Sequence, residues 1–265
     1  MKAKSKTDIR RQKIRQMLIS NNVVSINEFC QLLKCSESTI RNDLKYLDAK
    51  GLITRTYGGA VLNGNTRYNV AMNTRYGMNV AAKEEIADYI VHNVLVDDSI
   101  ITLDSGTTMV GIAKKILEAS LKLTVITTSL AIAEVLNRTA NIDLYLTGGR
   151  LNHIKEAFID QSAIEFVSSM CSDLYLFSCD GVDIEKGFTI GDPEEVAIKK
   201  AMSQFSKRTI CAVDSSKIDQ IKLKKIFDIN DIEMIITDTA VSEKKIEKLR
   251  SAGADIIKAT KKTQA

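Results

Sequence analysis

The sequence predicts a two-part protein: a small helical head closed by a β-hairpin, followed by a larger α/β body on a mainly parallel sheet. Three observations carry this. In the first sixty positions apolar residues recur at helical spacing, then give way to two short β-branched runs around a Gly-Gly turn. From about residue 100, short β-branched runs alternate with helical segments, the pattern of a parallel sheet covered by helices on both faces. Charge divides in the same way. Up to Arg67 there are 13 Lys and Arg against 5 Asp and Glu, a net of +8; the remaining 24 against 28 give −4, for the overall +4. A basic head on a mildly acidic body points to a polyanionic partner for the head.

In the head, Asp8 is expected to cap a first helix whose Ile14, Met17 and Leu18 share an apolar face. The stretch Asn-Asn-Val-Val interrupts it. Ser25-Ile-Asn-Glu28 fits a capping box, and Ile26, Phe29, Cys30 and Leu33 repeat at i, i+3, i+4 and i+7. Lys34-Cys-Ser-Glu37 makes a short turn, and Ser36 or Ser38 caps a third helix buried through Ile40, Leu44 and Leu47. Gly51 ends that helix, and Leu52–Leu62 reads as two strands around Gly58-Gly59.

Two helices joined by a turn of about four residues form a helix-turn-helix, and the hairpin supplies the wing of a winged helix. A three-helix packing module would show the same apolar periodicity. The outward face of the third helix (Thr39, Arg41, Asn42, Lys45, Tyr46) favours DNA, because Arg, Asn, Thr and Lys are the side chains that pair with bases and phosphates. The expected contacts to double-stranded DNA are Ser36, Ser38, Thr39, Arg41, Asn42 and Lys45, with Arg55 and Tyr57 from the wing. Residues 8–63 form this domain, 64–80 an Asn-rich linker with Arg75 and aromatics that pack in part, and 81–260 the body.

The body opens with a helix from about Ala81. Its strands are expected at residues 99–103, 123–128, 142–147, 173–178, 209–213, 234–237 and 254–258, with helices near 109–119, 131–138, 156–170, 195–206 and 242–251. Phe158 and Phe166 read as core positions on a helix. In an open parallel sheet the loops after the strands emerge at one edge, where ligands bind. Those loops supply Asp104, Ser105, Gly106, Thr107 and Thr108, then Thr128 and Ser129, then Gly148, Gly149 and Arg150. Later loops add Asp180, Gly181, Asp214 and Lys217, with Thr237-Asp238 beyond them. Polar loops with two cations around a helix start suit a small polyhydroxylated anion.

Several classes are excluded or disfavoured. There is no P-loop, no Gly-x-Gly-x-x-Gly after a strand, no His-Glu-x-x-His and no nucleophile elbow. Five scattered cysteines and two histidines show no zinc spacing, so neither a metal nor a cofactor is expected, and free thiols fit a reducing cytoplasm. No run is long enough to span a membrane, and the charged N-terminus lacks the apolar core of a signal peptide.

Ser36-Glu37, Thr39-Ile40-Arg41, Asp43-Leu44 and Arg55…Gly58-Gly59-Ala60 resemble the signature of the DeoR family of transcriptional regulators. The resemblance continues through Lys83…Ile86-Ala87, Asp104-Ser-Gly-Thr-Thr, Val125-Ile126-Thr127, Gly148-Gly149 and Asp214-Ser-Ser-Lys217, from about residue 8 to 258. It implies a winged helix-turn-helix head and a sugar-phosphate sensor similar in fold to ribose-5-phosphate isomerases and related transferases. It also implies repression of a sugar-use operon and action as a homo-oligomer. Three positions depart from the pattern: Asn42 in place of a second arginine, Thr128 in place of a frequent asparagine, and Asp160 in place of a glycine. The first bears on base preference, the others on ligand identity. The alternative is a sugar-phosphate isomerase carrying a DNA-binding head. Asp104, Asp180, Asp183, Asp214, Glu194 and Glu195 offer carboxylates for it, but no constellation commits one to proton transfer.

Overall fold

The structure, a computed structural model, describes residues 5–21, 23–50, 52–56, 58–62 and 75–260. The chain divides into two units, Met1–Val70 and Ala71–Ala265. In the first, helix α1 (Lys6–Asn21) starts ahead of Asp8. Ser5 is its cap: the Ser5 hydroxyl accepts from the Asp8 N–H at 3.2 Å, and the Asp8 carboxylate accepts from the Ser5 N–H at 3.3 Å. Asp8 is thus the third residue of the turn and the reciprocal acceptor, not the cap.

The interruption after α1 holds a short strand, β1 (Val23–Ser25), which leads directly into α2 (Ile26–Leu33). The capping box at Ser25 is present: the Glu28 N–H donates to Ser25 Oγ at 3.2 Å and the Ser25 N–H to Glu28 Oε2 at 2.7 Å. Lys34 turns the chain in the left-handed region at φ 51°, and α3 (Glu37–Ala49) follows. The hairpin of β2 (Ile53–Thr56) and β3 (Gly59–Leu62) takes β1 as a third strand, in the order β1-β3-β2. Gly59 makes this possible, because a Cβ there would lie 2.2 Å from the Val24 carbonyl oxygen. Ile14, Leu18, Phe29, Ile40, Leu44, Leu47 and Ile53 form the core under the three helices.

The second unit starts its first long helix, α4 (Val80–Asn93), one residue before the expected position. Its main sheet is made of β4 (Ile100–Leu103), β5 (Leu123–Thr127), β6 (Ile142–Leu146), β9 (Ser172–Phe177), β12 (Ser206–Ala212), β14 (Met234–Thr237) and β15 (Ile256–Lys258). These are the seven predicted runs. The order is β15-β14-β12-β9-β4-β5-β6 and every pairing is parallel. Side chains alternate across it: Leu174 and Leu176 enter one apolar cluster, Tyr175 and Phe177 the other. Helices α4, α5 (Thr107–Ala119) and α6 (Leu130–Leu136) cover the first face; α7 (Gln161–Ser168), α8 (Glu195–Gln204) and α9 (Glu243–Ser251) cover the second.

Two features differ from the sequence reading. The helix expected at 156–170 is confined to α7. Phe158 instead sits in β8 (Ala157–Phe158), which pairs with β7 (Leu151–Asn152) in a small hairpin. A further antiparallel sheet of β10 (Gly181–Asp183), β11 (Gly187–Ile190) and β13 (Lys224–Phe227) also forms. Strands of three or four residues buried on both faces, as β11 is, carry no alternation for a period-two reading to find.

The strand order fixes where a ligand can enter. From β4 the chain winds outward through β5 and β6; from β9 it winds the other way through β12, β14 and β15. The direction reverses between the neighbours β4 and β9, and the crevice of an open parallel sheet lies beyond the strand ends at such a point.

Candidate functional site

On the first unit, α3 presents Ser38, Arg41, Asn42 and Lys45 to solvent and Thr39 in part. Ser36 is the helix cap, accepting from the Thr39 N–H at 3.4 Å, and its hydroxyl lies 3.0 Å from Ser38 Oγ and 2.8 Å from Thr39 Oγ1. Those three hydroxyls are engaged with one another at the helix start. Arg41 is held by Glu37 one turn back, Nη2 to Oε1 at 2.6 Å. Both partners are about half exposed, so the pair is easily exchanged for a stronger anion. Tyr46 carries the Arg11 guanidinium 3.6 Å above its ring, and the buried Asp43 accepts from Arg10 at 2.5 Å and Arg11 at 2.8 Å. Tyr46 therefore packs with α1. Arg55 is exposed on β2, and Tyr57 lies outside the described residues.

In the second unit a cavity opens at the switch point. Ser105, Gly106, Thr107 and Thr108 form its floor at the start of α5, and Ser178, Cys179 and Asp180 enter after β9. Asp214 and Lys217 come from the loop after β12. Gly106 has φ 123° and nothing within 4 Å of the place a Cβ would take, and the first N–H groups of α5 have no partner within the helix.

The segment before α4 closes the cavity. Arg75 Nη2 donates to Asp180 Oδ1 at 2.6 Å, while Asn79 Nδ2 donates to Asp214 Oδ1 at 2.8 Å and Ser216 Oγ at 3.1 Å. Lys83 Nζ donates to the carbonyls of Arg75 at 2.7 Å and Met78 at 2.6 Å. At the inner end four charges interlock. Lys199 pairs with Asp104, donates to the Ser178 carbonyl at 3.2 Å and lies 3.6 Å from Glu195 Oε2; Lys155 pairs with Glu195 Oε1.

Burial and charge act together on these groups. Burial draws the Lys83 ammonium down to about 8; Asp214 opposes this, and Lys217 and Arg75 reinforce it. Burial would also discharge Lys199, but Asp104 and Glu195 outweigh it and hold the amine protonated above its ordinary range. Burial alone would raise Asp180; the Arg75 charge, then Lys155 and the Gly191 N–H, bring it well below the usual carboxylate range.

The remaining sequence candidates fall elsewhere. Asp104 is buried behind the lining, as the partner of Lys199. Gly181 starts β10, where a Cβ would sit 2.3 Å from the Gln220 carbonyl oxygen. Thr128, Ser129, Gly148, Gly149 and Arg150 do not line the cavity; the β7–β8 hairpin, bonded to the loop after β5 through the Leu130 N–H to the Glu156 carbonyl at 2.9 Å, brings Lys155 there instead. Ser129 caps α6, accepting from the Ile132 N–H at 3.4 Å, and the Thr128 carbonyl accepts from the Phe158 N–H at 2.9 Å. Gly148 and Gly149 make a left-handed turn over Asp160, whose carboxylate accepts from the Arg150 N–H at 3.0 Å and the Ala163 N–H at 3.3 Å. Asp160 is thus the cap of α7.

Sequence reasoning missed Asn79, Lys155 and Lys199 as lining residues, and placed Arg75 and Lys83 only by packing and by resemblance. One signal was available: Glu195 and Lys199 share a helical stripe with the buried Ile198 and Met202, so two charges stand on an apolar face. Lys155 lies in a turn and has no such pattern. Among the described residues no group of three or more His, Cys, Asp or Glu could hold a metal ion, and no helix is long and apolar enough to cross a membrane.

Comparison with known proteins bears on both units. Residues 10–66 match the model of the DeoR-like helix-turn-helix domain, and residues 78–239 that of the DeoR C-terminal sensor domain. The chain belongs to the DeoR family. It is a transcriptional regulator and not an enzyme, with a DNA-binding head and a sensor for a small-molecule effector. It is similar to the HTH-type transcriptional regulator GolR of Listeria innocua, 30% identical over 93% of this chain and 96% of that one. It is also similar to the HTH-type transcriptional repressor GlcR of Bacillus subtilis, 28% identical over 92% and 93% of the two chains. Among solved structures, ribose 5-phosphate isomerase A of Methanocaldococcus jannaschii aligns at a TM-score of 0.39 and 18% identity, over 53% of this chain and 55% of that one.

Proposed function

We propose that this DeoR-family regulator represses a sugar-utilisation operon, and that a phosphorylated sugar held in the switch-point cavity alters its hold on the operator. The observation that carries the reading is the open start of α5, with Gly106, Thr107 and Thr108 facing Lys83 and Lys217. N–H groups without intrahelical partners, a helix dipole, hydroxyls and two ammonium groups together make a seat for a phosphate. The Asp, Glu and Lys side chains further in offer donors and acceptors for hydroxyls. The contacts to DNA are assigned to the exposed face of α3 and to Arg55. The regulator is expected to act as a symmetric homo-oligomer in the cytoplasm, since helix-turn-helix proteins commonly match two-fold operators with two-fold symmetry.

A thermal-shift screen of the whole protein against sugar phosphates tests the reading. The effector should raise apparent stability by about 2.7 kcal/mol at a hundred times its Kd, and should weaken binding to an in-vitro-selected DNA site. A panel in which no sugar phosphate shifts the transition or the DNA affinity overturns it.

A further inference from the structure

We propose that Lys155 and Glu195 form a charge-neutral selector at the inner end of the cavity, which admits the uncharged hydroxyl end of a monophosphorylated ligand and rejects a second anionic group. This rests on the reading that the phosphate sits at the start of α5. Lys155 lies in the β7–β8 turn, 4% exposed, and Glu195 starts α8, also 4% exposed. The two charges pair with one another, and beyond that pair neither Lys155 Nζ nor Glu195 Oε1 has a hydrogen-bond partner among the described residues. Both residues line the cavity.

A hydroxyl answers both atoms at once: its lone pairs accept from the Lys155 ammonium, and its proton goes to the Glu195 carboxylate. A carboxylate or phosphate only accepts. It would satisfy Lys155 while standing against Glu195 and Asp180, and a like charge in a buried site is strongly disfavoured.

The distribution of charge along the cavity agrees. Inside, the carboxylates of Asp104, Asp180 and Glu195 are balanced by Arg75, Lys155 and Lys199, which leaves no excess. At the mouth, Lys83 and Lys217 face Asp214, whose Oδ1 is already occupied by Asn79 and Ser216. The surplus positive charge lies only where the first phosphate is expected. The ligand class is therefore a sugar or sugar-alcohol monophosphate, not a bisphosphate or the phosphate of a sugar acid.

Calorimetric titration of the full-length protein with matched probes tests this. Glucitol 6-phosphate and 6-phosphogluconate differ only in a terminal hydroxymethyl or carboxylate; fructose 6-phosphate and fructose 1,6-bisphosphate differ by one phosphate. The uncharged-ended member should bind about tenfold or more tightly in each pair that binds. Glu195→Gln, which leaves Lys155 uncompensated, should shift the ratio toward the charged-ended member by about tenfold. Equal or tighter binding of the charged-ended probes to the natural protein, or an unchanged ratio in E195Q, overturns the selector. Binding of inorganic phosphate without any sugar probe overturns the selector and leaves the phosphate seat standing. Binding of nothing, inorganic phosphate included, overturns the seat as well.

Discussion

On the proposed reading, Lys83 is the residue at which burial and the ligand's charge act on one proton. Its ammonium is drawn down to about 8 by burial, with Lys217 and Arg75 adding to the effect. An anion favours the charged form and raises that value again, so binding takes up a proton wherever free Lys83 is partly neutral. Affinity for a phosphorylated ligand should therefore be level just below pH 8 and fall as pH rises beyond it. At the acid end a phosphate monoester loses its second charge near pH 6, so the optimum lies between about pH 6 and 8. Titrations at pH 7, 8 and 9 in buffers of different ionisation enthalpy read the proton uptake directly. Lys83→Met should bind more weakly and lose the alkaline limb; an alkaline limb that persists would assign the proton to another group. At this scale the sequence was legible where residues announce a loop, as Thr107, Asp180 and Lys217 do. It was silent where a charge is buried by tertiary packing: Lys155 has an ordinary turn sequence around it and becomes exceptional only when α8 brings Glu195 against it.

Elements show the same contrast between local and assembled information. The capping box of α2 was readable because both partners lie within four residues. Strand β1 was not, because its pairing with β3 depends on a chain segment more than thirty residues away. Gly59 is the visible trace of that pairing: a Cβ there would strike Val24 and Ser25 backbone, whereas Gly58 has open space around it. Gly59→Ala should thus destabilise the head by about 1–3 kcal/mol, and Gly58→Ala by much less. Hydrogen exchange of β1 and β3 amides in the whole protein measures this, and equal protection in both variants would remove β1 from the sheet. On α3, Arg41→Ala should weaken the selected DNA site by about 1–3 kcal/mol if the guanidinium leaves Glu37 to hold a base edge. Arg55→Ala should lower affinity across sequences, the mark of a phosphate contact. An unchanged affinity in R41A would move readout elsewhere on the helix.

For the whole molecule, three of the six polar loops line one cavity, those after β4, β9 and β12. Alternating runs give seven strands and a polar edge, but not their lateral order, and that order sets the reversal of direction between β4 and β9, where the cavity opens. On the proposed reading Thr107 and Lys217, which line the same cavity, act on the effector, while the basic head, with its net +8, acts on DNA. A hydrogen bond to a charged group contributes about 1.5–3 kcal/mol, roughly ten- to a hundredfold in affinity. Thr107→Ala and Lys217→Ala should therefore fold, bind the selected DNA site with the salt dependence of the natural protein, and need ten- to a hundredfold more sugar phosphate (about one to two decades) to release it. Coupling between the units is reciprocal, so saturating DNA should weaken effector binding by the factor with which effector weakens DNA binding. DNA affinity measured with and without effector, and effector affinity with and without DNA, closes that cycle for each variant. A full response at the natural concentration in both variants would place the effector outside the crevice between β4 and β9; DNA binding lost together with the response would mean that the cavity supports the fold and does not sense a ligand.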